Sequence, residues 1–137
     1  MNLLHIVTDR TLDTKTIVIY KTTKEATFPD MYKVGPLSLP PGSAVLITAQ
    51  IEVTNPHKYN VGLGLRVIRG STTILPAAMM NITPAEHHQV RSLAVWDMPP
   101  EDEVPTYILE GYAAASRCVP GDKLIVEAGY GLLQCAV

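Results

Sequence analysis

Hydrophobic and polar residues alternate with period two along much of this chain. Across Ser43–Thr54, Val45, Ile47, Ala49, Ile51 and Val53 share one face of an extended segment, while Thr48, Gln50, Glu52 and Thr54 share the other. Such a segment is a long, half-buried strand. Tyr59, Val61, Leu63, Leu65 and Val67 repeat the pattern after Asn55-Pro56, which predicts an antiparallel hairpin turning around residues 55–58. Further strands are predicted over 3–8, 15–21, near 72–75, and over 88–97, 105–116, 123–128 and 130–136. No window of eleven or more residues keeps helical spacing without a Pro or a run of β-branched residues.

Turn residues punctuate the strands: Pro29-Asp30, Pro40-Pro41-Gly42, Gly70-Ser71, Pro76, Pro84, Pro99-Pro100, Pro105 and Pro120-Gly121-Asp122. Val119–Asp122 suits a type II turn leading from strand 105–116 into strand 123–128, with Pro setting φ at its second residue and Gly accepting positive φ at its third. Pro41-Gly42-Ser43-Ala44-Val45 echoes it ahead of the strand at 45. The expected fold is all-β: one antiparallel β-sandwich domain over 1–137 with about eight strands, a jelly roll of two Greek keys. An immunoglobulin-like sandwich fits less well, because Trp96 is not flanked by cysteines at that fold's spacing. Bulges are expected at Gly62, Gly64, Gly111 and Gly129.

Composition narrows the function. Hydrophobic residues make up 47% of the 137 positions and charged residues only 18%, against roughly 25% charged in an average soluble protein. Eleven Lys and Arg face thirteen Asp and Glu, for a net charge of −2. That balance lacks the basic footprint of a protein that binds nucleic acid or an acidic membrane. The first residues carry no basic stretch ahead of an apolar core, so no signal peptide is expected, and the sequon at Asn81 then has no glycosylating enzyme to meet it. No apolar run reaches the roughly 18 residues of a membrane span. Cys118 and Cys135 are expected to be reduced thiols rather than a disulfide framework.

Two strands are apolar on both faces. Along 107–115, Tyr107, Leu109, Gly111, Ala113 and Ala115 occupy one face, while Ile108, Tyr112 and Ala114 flank the single charge Glu110 on the other. In the last strand Tyr130 and Leu132 oppose Leu133, Cys135 and Val137. A strand of an antiparallel sandwich meets the core on one face only, so a second apolar face calls for another cover. A second copy of the chain supplies it, with Ile108, Tyr112, Ala114, Tyr130, Leu133 and Cys135 as expected subunit-interface residues. A standard interface of about 800 Å² per partner would suffice. The competing cover is local, residues 22–41 folded over the sheet.

No catalytic constellation emerges. His87 and His88, after Glu86, point to opposite faces if extended and cannot share one metal. Thr83-Pro84-Ala85-Glu86 reads instead as one capped helical turn. Ser116 and Cys118 lack a nucleophile signature. Glu101-Asp102-Glu103 lacks EF-hand spacing and reads as a solvated loop. Gly62-x-Gly64 lies inside a strand and has no phosphate-binding merit. Trp96, alternating with Ala94 and Val95, is expected in the core. No catalytic, cofactor-binding or metal-ligating residue is therefore expected, and the chain does not read as an enzyme.

Tyr59-Asn-Val-Gly-Leu-Gly-Leu, Thr83-Pro-Ala-Glu-His-His, Tyr112-Ala-Ala-Ala-Ser, Pro120-Gly-Asp-Lys-Leu and Glu127-Ala-Gly-Tyr-Gly-Leu-Leu together resemble small jelly-roll structural proteins of tailed bacteriophages. These include capsid decoration (cement) proteins and fibre-tip domains with a TNF/C1q-like trimeric arrangement. The resemblance spans about residues 40–137. It implies a homotrimer seated on a virion, assembled in the host cytoplasm, partnered by the major capsid protein and free of cofactors. Residues 1–40 would then combine the first strands with an extended arm reaching the shell. The alternative it implies is a receptor- or carbohydrate-binding tip domain using Tyr32, His57, Tyr59 and Trp96.

Overall fold

A computed structural model describes residues 5–10, 13–24, 30–84, 88–127, 129 and 131–137. The described residues form ten strands and no helix: β1 (Ile6–Arg10), β2 (Lys15–Tyr20), β3 (Asp30–Val34), β4 (Val45–Thr54), β5 (Val61–Arg69), β6 (Thr72–Ile82), β7 (Gln89–Asp97), β8 (Tyr107–Ala114), β9 (Lys123–Val126) and β10 (Leu132–Ala136).

They make two layers. In the first, β4 is central: β7 runs along one edge for nine residues, while β10 and then β9 share the other, with β1 outside β10. In the second, β5 lies between β6 and β8. β3 and the end of β2 share the far edge of β8. β2 joins the layers, pairing antiparallel with β9 through Lys15–Val18 and parallel with β8 at Ile19 and Tyr20. This is the antiparallel jelly-roll sandwich expected from the alternation, with ten strands instead of about eight.

The core lies between the layers. Val45, Ile47, Ala49, Ile51 and Val53 of β4 face Val61, Leu63, Leu65 and Val67 of β5 and Tyr107, Leu109 and Ala113 of β8, and all are buried. The period-two reading therefore identified the inner face of each central strand. Both turn assignments also hold: Gly42 and Gly121 take φ of 76° and 94°. The amides of Ser43 and Asp122 close the turns onto the carbonyls of Pro40 and Val119.

The hairpin between β4 and β5 does not form. β4 belongs to the first layer and β5 to the second, and the connection crosses between them. Asn55 enforces the crossing. It is buried, its amide donates to the carbonyls of Tyr59 (2.8 Å) and Ile82 (3.0 Å), and its side-chain oxygen accepts from the His57 amide (3.0 Å).

β3 falls within 22–41, the stretch that the competing reading folds over the sheet as a covering loop, and β6 continues through Pro76. As the outer strand of its layer, β6 can hold a Pro that a central strand would reject. Register shifts occur beside Val67 and between Asp30 and Tyr32, not at Gly62, Gly64 or Gly111; Gly129 lies outside the described ladders. Within the N-terminal 40 residues β1, β2 and β3 belong to the sandwich: β1 pairs with β10, and the amide of Lys33 in β3 binds the Asp9 carboxylate at 2.8 Å.

One end is locked by a partly buried ionic cluster. Arg69 of β5 holds both carboxylate oxygens of Asp97 of β7, at 2.8 and 2.7 Å. Tyr107 of β8 donates to Asp97 at 2.6 Å, and Glu103 accepts from Arg69 Nε at 3.2 Å. Glu103 thus leaves the solvated acidic triplet to join a clamp between the layers.

Candidate functional site

Two polar clusters tie loops and strands together within the chain. At one end of the sandwich the rings of His57 and Tyr59 stack, with centroids 5.1 Å apart. Tyr59 donates its hydroxyl to Asp122, which also accepts the Val119 amide at 3.1 Å. His57 places Nε2 2.9 Å from the Lys123 carbonyl and Nδ1 3.9 Å from Asp122. A carbonyl only accepts, so Nε2 carries the proton. Desolvation and the bond to Asp122 push the Tyr59 hydroxyl well above its ordinary pKa, and the same bond holds Asp122 below the usual carboxylate range. The cluster fastens the Val119–Asp122 turn to the crossing loop.

His88 has Nδ1 2.8 Å from Glu52 and Nε2 3.6 Å from Glu127. The two carboxylates meet opposite sides of the ring, so the three do not converge on one ion. Among the described residues no group of three or more His, Cys, Asp or Glu is arranged to hold a metal. Glu86, His87 and the helical turn expected there lie outside the described residues; Thr83 instead closes the loop by exchanging hydrogen bonds with Gln89. Cys118 and Cys135 are free and buried, and burial pushes the Cys135 thiol up to about 12. Ser116 is exposed.

The residues expected at a subunit interface separate. Ile108, Tyr112 and Ala114 do lie together on the outer face of the second layer. Tyr112 is largely covered there by its own chain: its ring lies over Gly64, where a Cβ would come within 2.1 Å of it, and its hydroxyl reaches the Met79 sulfur at 2.9 Å. Beside it Glu110 is buried under Arg66, with Nη2 at 3.3 Å. Ile108 and Ala114 stay half-buried. Leu133 and Cys135 are removed from the set, because they point inward from β10 and the sandwich itself buries them. Tyr130 lies outside the described residues.

A second surface went unread in the sequence. Ile6, Ala136, Leu46 and Trp96 are successive cross-strand partners in β1, β10, β4 and β7 and so form one apolar row on the outer face of the first layer. Trp96 is 65% exposed, contrary to its expected place in the core, and Met98 next to it is 70% exposed. The available signal was the phase of β7: Arg91, Leu93 and Val95 face inward, so Trp96 must share the outer side with Val90, Ser92 and Ala94. A cavity of about 380 Å³ opens between β1, β10 and the Pro36–Pro40 segment, lined by His5, Val7, Leu37, Leu39, Cys135 and Val137.

The fold of this two-layer jelly roll is shared with solved viral structures. Several of the similar solved structures come from infectious bursal disease virus. The VP2 subviral particle matches over 98% of this chain at 12% identity with a TM-score of 0.66, and the Gx strain structure over 99% at 12% with 0.65. The T13 viral particle matches over 98% at 12% with 0.64. The chain spans about a third of the length of each of these proteins, 33%, 33% and 31%. What is shared at this identity is the fold. No family model matches the sequence, and no curated protein matches it.

Proposed function

We propose that this chain is a non-enzymatic structural component of a virus particle, a decoration protein that sits as a homotrimer on the head shell of a tailed bacteriophage and braces neighbouring major capsid subunits. The observation that carries the reading is the fold: a capsid-type jelly roll whose polar clusters hold the sandwich together. Its action is mechanical. Each copy contributes modest apolar contacts, and symmetry multiplies them into a strong cumulative hold on the shell. The half-buried outer face of β8, at Ile108 and Ala114, supplies the contact between copies. Co-sedimentation with expanded, empty heads tests the proposal. Saturable binding with a fixed ratio to the major capsid protein is expected; heads that sediment bare at every concentration would contradict it.

One observation favours a second reading, a receptor- or carbohydrate-binding tip domain: Trp96 presents its ring to solvent, as sugar-stacking aromatics do. Strong signals on a glycan array combined with bare heads would favour the tip domain. Silence on the array with decorated heads favours the shell.

A further inference from the structure

Sheet edges decide how β-proteins meet, since an unpaired strand offers a row of amides and carbonyls to any extended partner, and natural proteins guard such edges with Pro, Lys, bulges or short length. Two edges here are guarded. β1 is only five residues long and ties Asp9 to the amide of Lys33. β6 carries Pro76 and the register shifts beside Val67. β7 has no Pro, Lys, bulge or shortening; its guard is limited to the inward-facing Arg91, which reaches the Asn81 carbonyl of the adjacent β6. It pairs with β4 over nine residues without a register shift, and among the described residues it has no ladder partner on its other edge. It contains no Pro, Gly or Lys. Its two charges are engaged within the chain: Arg91 donates to the carbonyls of Val90 and Asn81, and Asp97 holds Arg69 and Tyr107.

We infer that β7 is an assembly edge that pairs antiparallel with β7 of a second copy about a twofold axis at Leu93, joining the first layers of two molecules into one continuous sheet. The sequence of the strand supports this occupant over an unrelated one. With Leu93 opposite itself, Ser92 faces Ala94, Arg91 faces Val95, Val90 faces Trp96 and Gln89 faces Asp97. No like charges are opposed, and all four pairings keep parity, so the outer-face residues Val90, Ser92, Ala94 and Trp96 meet only one another. The two most exposed apolar side chains of the strand, Val90 and Trp96, then cover each other twice. Aromatic and β-branched residues directly opposite are a favourable cross-strand combination. The pairing goes beyond the proposed shell role and uses a different surface from the β8 face. Trimers built on the β8 face would be linked to one another by these twofold strand pairs.

The register gives a test that does not depend on any shell. Residues directly opposite in an antiparallel pair have Cα atoms about 4.5–5.5 Å apart, within the range of a disulfide, whereas diagonal Cβ atoms are about 7–8 Å apart, outside it. Ser92→Cys and Ala94→Cys are both on the exposed side of β7, and the native cysteines are buried. Under mild oxidation a mixture of the two variants is expected to form a 92–94 crosslink, while either variant alone and the unaltered protein do not. The single tryptophan reports the same event, with emission shifting to the blue as concentration rises. Trp96→Ala, a change at an exposed position that leaves thermal unfolding unchanged, is expected to weaken association by about tenfold or more. No crosslink in the mixture, or equal crosslinking in the single variants, would overturn the inference. Binding to heads without the crosslink would retain the shell role and remove the β7 contact; the crosslink without binding would do the reverse.

Discussion

Asn55 pins the crossing between the two layers with three hydrogen bonds. Without its three hydrogen bonds, the run from Val45 to Val67 has every local feature of a hairpin. Asn55→Ala leaves one buried carbonyl, one part-buried carbonyl and one amide without their partner, so a loss of about 2–3 kcal/mol is expected in denaturant unfolding. Asp122 gives a pH signature. Its carboxyl is held below the ordinary value of 3.8 by the Tyr59 hydroxyl and the Val119 amide. A depressed folded pKa contributes stability that is fully present above the unfolded pKa and disappears as pH falls through the folded one. Asp122→Asn is therefore expected to lower the melting temperature above about pH 4 and to converge with the unaltered protein in stronger acid; parallel melting curves across that range would contradict the assignment. The side of a strand was legible wherever alternation was strict, as for Val45–Val53. Leu133 and Cys135 were harder to place. In a low-charge chain both faces of a strand are apolar, and only the observed pairing shows which of them the sandwich buries.

Strands were legible by composition and turn chemistry, and their partners were not. The alternation of β4 and β5 and the Pro-Gly turns at 41–42 and 120–121 follow from local stereochemistry. Pairing is decided by groups far apart in sequence, such as Asn55 with Ile82 or Arg69 with Asp97. β3 was hidden because Met31 and Tyr32 are both buried across a register shift, which erases period two. β6 was cut short near residue 75 by Pro76, harmless on an outer strand. The clamp at Asp97 belongs to this scale because it joins β5, β7 and β8. Asp97→Ala strands a largely buried guanidinium and the Tyr107 hydroxyl, and unfolding measurements are expected to show a loss of about 3 kcal/mol. Asp97→Asn, which still accepts from both groups, is expected to lose less.

At the scale of the molecule, the excess of apolar residues is divided between one core and two outer surfaces. The core accounts for the inner faces of β4, β5 and β8. What remains is the half-buried β8 face and the Ile6–Trp96 row beside the β7 edge, the two surfaces on which the proposed assembly rests. The fold class was readable from the sequence because it is written in strand alternation and turns. The surfaces were read only in part, because Trp96 was assigned to the core and the β7 edge exists only once its neighbours are known. The shell role is the central claim, and low-resolution electron microscopy of expanded heads incubated with the protein tests it most directly. The account predicts added density on the outside of the shell, repeated at its symmetry positions in clusters of three copies. Heads whose surface is the same with and without the protein would contradict it.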